Sequence, residues 1–121
     1  MHQHYQELTK NTANYIPLSP LSFLARTADI FGARTAIIYG DRHYSWQQTY
    51  GRCRALASAL NRHGLGLGDT VSIIAANTPE MYEAHFGVPM AGCVLNTINT
   101  RLESETIAYI LSDSDSRASR A

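Results

Sequence analysis

The chain has 121 residues, with ten Lys+Arg, ten Asp+Glu and five His, and therefore no formal net charge; 45% of its residues are hydrophobic and 17% charged. That balance fits one globular domain with a modest core, and it excludes a disordered chain, a basic nucleic-acid surface and an acidic solvating tail. Nine of the ten basic residues are arginine and Lys10 is the single lysine, while Cys53 and Cys93 are far apart, so neither a disulfide scaffold nor a Cys-rich metal site is indicated.

Residues 1–17 show no sustained period and read as an irregular arm, too polar for a secretory signal. "LSPLSFLARTADIFG" then opens a helix: Ser19 as cap, Pro20 at the first helical position, and Leu18 placed to pack on Phe23. Leu21, Leu24, Ala25, Ala28 and Phe31 follow the 3.6 period, and Gly32 is placed to end it. "TAIIYGDRHYSW" predicts two short strands joined through Gly40 and Asp41. Ser45 and Gln48 form a capping box for a second helix with Trp46, Tyr50, Cys53, Ala57 and Leu60 on one stripe, closed by Gly64.

"TVSIIAAN" reads as a strand covered on both faces. Thr78 and Pro79 start a third helix, with Glu80 in its first turn; Pro89 should bend or break it. "GCVLNTIN" predicts another short buried strand, and Thr100 with Glu103 a second capping box before a helix carrying Ile107, Ile110 and Leu111. After Asp113 the chain turns polar, "SDSRASRA", where the alternation would require an apolar strand. The expected class is α/β: an incomplete layered sheet of mixed strands with helices.

No segment carries a recognisable catalytic set. "GLGLGDT" at residues 64–70 follows a helix and precedes a strand, the reverse of a dinucleotide fingerprint, and reads as an αβ connection. A Walker-type loop needs a lysine after its glycines, and Lys10 is remote. Cys53, although flanked by Arg52 and Arg54, and Cys93 read as core thiols rather than nucleophiles. His2 and His4 lack a third metal ligand and read as incidental surface residues. Glu80 and Glu83 share a helix face at i, i+3 and could serve as an acid/base pair, or form an ordinary solvated face, which the residue types favour. His85, beside Phe86, could line a pocket or be a partly buried, satisfied histidine; the second reading is the simpler. No HExxH, GxSxG or CxxC occurs.

The ordered segments "PLSPLSFL", "TAIIYGDRHYSWQQTYGRCRALASAL", "GLGDTVSIIAANTPE", "AHFGVPMAGCVLNTINTRL" and "ETIAYILSDS" resemble the N-terminal stretch of AMP-forming acyl-CoA synthetases of the adenylate-forming superfamily, from about Tyr15 to Asp115. The resemblance implies that the chain is the first part of the large N-terminal domain of such an enzyme. It implies an irregular arm at 1–17, a partial AMP-binding domain at 18–115 and a polar truncated tail at 116–121. The reaction implied for the full-length family consumes ATP with Mg²⁺ to form an acyl-adenylate from a fatty or other carboxylic acid, and coenzyme A then displaces AMP. That chemistry needs a phosphate loop with its lysine and a second lysine from a C-terminal domain, and neither matches a position here. No catalytic, cofactor-binding or metal residue of the family is therefore carried over, and this fragment is expected to bind no cofactor and to be inactive alone.

The alternative is a non-catalytic α/β interaction module docking through an exposed sheet edge. An unrelated small hydrolase has less support, because no nucleophile and base pair up. The partners expected are a small carboxylate for the full-length enzyme and, through exposed apolar surface, a second copy; no nucleic acid and no membrane span are expected. The compartment expected is the reducing cytoplasm.

Overall fold

The computed structural model describes residues 9–13 and 15–120, and in the last strand the side chains as far as Arg117. In chain order the elements are α1 (Pro20–Phe31), β1 (Thr35–Tyr39), β2 (Arg42–Ser45), α2 (Trp46–Arg62), β3 (Thr70–Ile74), α3 (Pro79–Met90), β4 (Val94–Ile98), α4 (Ser104–Asp113) and β5 (Ser116–Arg120). The α/β class expected from the sequence is the one found.

Local chemistry accounts for most element starts. Ser19 Oγ accepts the Leu21 N–H at 3.2 Å and opens α1. At α2, Ser45 Oγ accepts from Gln48 N–H at 3.1 Å while Gln48 Oε1 accepts from Ser45 N–H at 2.9 Å, the reciprocal box expected. Thr78 caps α3 through Met81 N–H at 3.4 Å, with Pro79 at the first helical position. The hairpin β1–β2 turns at Gly40, whose φ of +58° favours glycine.

Four local expectations fail. Leu18 is 88% exposed and Phe23 50%, so no Leu18–Phe23 staple buries either side chain. Thr100 does not cap α4; the cap position is Glu103, without a side-chain hydrogen bond, and the helix begins at Ser104. Ahead of the helix, Asn99 Oδ1 accepts the Arg101 N–H at 2.9 Å in a local turn. Pro89 lies inside α3, but in its last turn: it gives up the N–H that would bond the His85 carbonyl, and the helix ends one residue later, so almost no helix lies beyond it to be bent. The "polar tail" forms β5, because a parallel ladder is made by backbone and does not require apolar side chains.

The larger sheet is parallel with order β4-β3-β5, and the β1–β2 hairpin stands apart. Central β3 buries adjacent residues on opposite faces, Val71 and Ser72. One face packs against α2 and α3 through a core of Ala57, Val71, Ala84, Val88, Ala91 and Cys93. The opposite face, which also carries Ile74 and the buried Ile98, holds a polar cluster: Ser72 Oγ lies 2.5 Å from Ser116 Oγ and accepts from Asn96 Nδ2 at 2.9 Å, and Ser116 Oγ lies 2.6 Å from Ser114 Oγ. A chain of hydroxyls thus occupies the place expected for apolar packing beneath β5. The strand β4, expected to be buried, is an edge strand with Val94 54% exposed, since only β3 pairs with it.

The α2–α3 contact is close because Gly87 has no side chain. A Cβ there would meet Leu56 Cδ2 at 2.7 Å and the Cys53 carbonyl oxygen at 2.9 Å. Thr49, Cys53 and Ala57 form the buried stripe of α2, so Thr49 replaces Trp46 and Tyr50 in the expected pattern.

Candidate functional site

From β3 the chain passes through α3 to β4 on one side, then returns through α4 to β5 on the other side of β3. Right-handed crossovers put the two helices on opposite faces, and the carboxyl ends of the strands at such a reversal are where open α/β sheets hold ligands. At that end a groove of about 550 Å³ is lined by Asn77, Met81, His85, Thr97, Asn99, Thr100 and Arg101, among others. His85 Nδ1 lies 2.8 Å from the Met81 carbonyl oxygen; that oxygen can only accept, so Nδ1 carries a proton in this contact and donates it. The groove thus offers amide, hydroxyl and imidazole groups and one guanidinium, Arg101.

An apolar groove of about 560 Å³ adjoins it, between the β1–β2 hairpin and the start of α3, lined by Ile37, Tyr39, Pro79, Tyr82 and Phe86. Asn77, Met81 and His85 belong to both grooves. Tyr82 and Phe86 pack with ring centroids 5.4 Å apart and planes tilted by 54°, and form one apolar wall. The pair of grooves suits a molecule with a polar end and an apolar body, and no nucleophile paired with a base lines either one.

The residues singled out from sequence fall as follows. Cys53 is fully buried and burial pushes its thiol up to about 11; Cys93 is also buried and shifted upward by desolvation, so both are core thiols as expected. Residues 64–69 form the α2-to-β3 connection, with Gly64 and Gly68 at positive φ and Asp69 Oδ2 accepting the Gly66 N–H at 2.9 Å. His85 has the hydrogen bond expected of it but is exposed in the groove rather than partly buried. His2 and His4 lie outside the described residues.

Glu83 departs from the solvated face expected of the pair, whereas Glu80 is exposed but held in an ion pair. Glu83 is 6% exposed and receives Arg52 side-on: Nε donates to Oε1, and Nη2 donates to Oε2 at 3.2 Å. Glu80 accepts from Arg42 Nη2 at 2.5 Å, and Arg42 also donates to the Tyr44 hydroxyl at 2.8 Å. The Arg42 hydrogen bond, aided by Glu80's own backbone, holds the Glu80 carboxyl at about 2. These carboxylates are joined to arginines of β2 and α2, and they fasten α3 to both elements instead of forming an acid/base pair. Sequence spacing within α3 could not reveal this, because the partners lie about thirty to forty residues earlier.

Comparison with known proteins places the fold. The family of AMP-binding enzymes matches residues 24–119. An acetate–CoA ligase of Humulus lupulus is 56% identical over 112 residues, 93% of this chain and 20% of that protein. A peroxisomal acetate/butyrate–CoA ligase of Arabidopsis thaliana is 56% identical over 91% of this chain and 19% of that protein. Among solved structures, a Rhodopseudomonas palustris protein described as a long-chain-fatty-acid CoA ligase superposes with a TM-score of 0.80 at 30% identity, over 84% of this chain and 26% of that one. The N-terminal subdomain of Klebsiella oxytoca NpsA superposes with a TM-score of 0.77 at 24% identity, over 84% and 27% of the two chains, and supports the fold alone. The chain spans about a fifth of the length of the curated relatives it matches. It belongs to the AMP-binding enzyme family and corresponds to the N-terminal portion of an AMP-forming acyl-CoA synthetase.

Proposed function

We propose that this chain serves a carboxylic acid–CoA ligase, in which an acid and ATP give an acyl-adenylate and coenzyme A then takes the acyl group. The observation that carries the reading is the 56% identity to an acetate–CoA ligase over 93% of the chain. The two grooves at the strand ends would contribute one wall of the ligand site. Their donor set does not fit ATP with its metal: the polar groove has one guanidinium, Arg101, the single lysine Lys10 lies outside both grooves, and the described residues hold no cluster of three metal-ligating side chains. No step through ATP or Mg²⁺ is therefore assigned to these residues, and the 121 residues by themselves are proposed to be catalytically silent.

The cytoplasm remains the proposed compartment, supported by two cysteines that are both free and buried. The ligase reading is tested by grafting this chain in place of the matching segment of the Humulus lupulus ligase. Acid-dependent AMP release by the chimera, with none from the isolated chain, is the expected outcome. A folded chimera that binds its substrates yet releases no AMP would count against it.

A further inference from the structure

We propose that a second copy of this chain lays its α4 into the groove between α1 and α2, with Glu105 meeting Arg62 and Asp113 meeting Arg54. This inference does not rest on the ligase reading. The groove, about 780 Å³, runs along α2 and has Leu21, Ala57 and Met90 among its apolar lining. Arg54 and Arg62 line it eight residues apart on one face of α2, about 12 Å along a helix rising 1.5 Å per residue. Both are exposed, no acidic residue lines the groove, and neither arginine belongs to an ion pair among the described residues.

Helix α4 carries the complementary pattern. Glu105 and Asp113 are also eight residues apart, with Tyr109 midway on the same face, and none of the three is in an ion pair among the described residues. All three are exposed, Tyr109 to 67%. The partly buried residues Ile107, Ile110 and Leu111 occupy the other side of the helix, so the Glu105–Tyr109–Asp113 face is turned away from its own chain. An antiparallel arrangement brings the positive end of the α4 dipole, with Glu105, to the negative end of the α2 dipole, with Arg62. It also sets Tyr109 over Ala57 and Ser58, where an amphipathic ring can cover apolar surface. With no net charge on the chain, no long-range repulsion opposes the encounter.

The test is sedimentation of the full 121-residue chain over a concentration series. Arg62→Glu and Glu105→Arg should each weaken association by about tenfold, and the double variant should recover it. Raising the salt should weaken the parent chain and leave the melting temperature of the monomer little changed. A chain that stays monomeric throughout, or that associates equally well in each single variant, overturns the proposal, as does a double variant that fails to recover. If a reversal disturbs folding, mixing Ser58→Cys chains with Tyr109→Cys chains decides instead. Cross-linking between the two kinds of chain, in excess of that within either kind, is expected; equal or absent cross-linking refutes the pairing.

Discussion

Arg52 lies against two carboxylates of one helix, bidentate on Glu83 and 3.7 Å from Glu80, with its guanidinium 4.7 Å from the centre of the Tyr44 ring. Arg42 completes the group by reaching Glu80 from β2. Glu83 can be nearly buried because a charged partner with several donors faces it, whereas an unpaired carboxylate there would have to recover its lost hydration. Glu80 is more open, and its effect is read most directly from acid titration. Its carboxyl lies at about 2 in the folded chain against an ordinary 4.5, so its stabilising effect is present above about pH 4.5 and is lost as the pH falls toward 2. In Arg42→Met the folded value returns toward 4.5, and the urea midpoint should then vary less with pH across that window than it does in the parent. Identical pH profiles for the two chains would refute the assignment. About half of the Glu80 side chain is exposed, so the effect should be small and reduced by salt.

Two helical glycines separate propensity from packing at the level of elements. Gly87 in α3 sits against α2, where an added Cβ would fall 2.7–3.0 Å from Leu56 and the Cys53 carbonyl; Gly51 in α2 has open space around it. Gly87→Ala should therefore destabilise the chain by about 1–3 kcal/mol, the overpacking cost exceeding the helix-propensity gain. Gly51→Ala should stabilise it by about 0.5–1 kcal/mol, because only the propensity changes. Thermal or urea melts of both variants provide the measurement, and a shift of the same sign in the two would undo the argument. Helix starts with short-range capping partners, at Ser19, Ser45 and Thr78, were legible in the sequence because donor and acceptor lie within three residues. The predicted box at Thr100 and Glu103 failed because the helix starts later, at Ser104 with Glu103 as its cap position, and the residues before it form a turn in which Asn99 Oδ1 accepts the Arg101 N–H.

At the scale of the molecule, the sheet depends on a strand that has no apolar signature. Strand β5 pairs along one side of β3, and Ser116 joins Ser72 to Ser114 in the hydroxyl cluster. Asp69 and Arg117 add an ion pair at 3.2 Å between the loop before β3 and the start of β5. Removing residues 116–121 should turn β3 into an edge strand and leave the buried Ser72 hydroxyl with one fewer partner, at a cost of about 2–4 kcal/mol from a domain margin of about 5–15. The expected readouts are a lower melting temperature and faster hydrogen exchange in β3; an unchanged melt would mean that β5 contributes no stability. Large apolar residues outside α4 also remain exposed, among them Ile38 and Val94, in a chain that matches about a fifth of the length of its relatives.

The sequence by itself determined the α/β class, the order of elements through α4, most caps, the core thiols and the family resemblance, because each is written in short-range periodicity or in the order of segments. Tertiary structure alone decided the strand order that brings the two grooves together, the burial of Glu83 beneath Arg52, the half-exposed edge at β4 and the polar strand β5. Those features depend on partners tens of residues away and on backbone pairing that is indifferent to side-chain hydrophobicity. No local pattern encodes either.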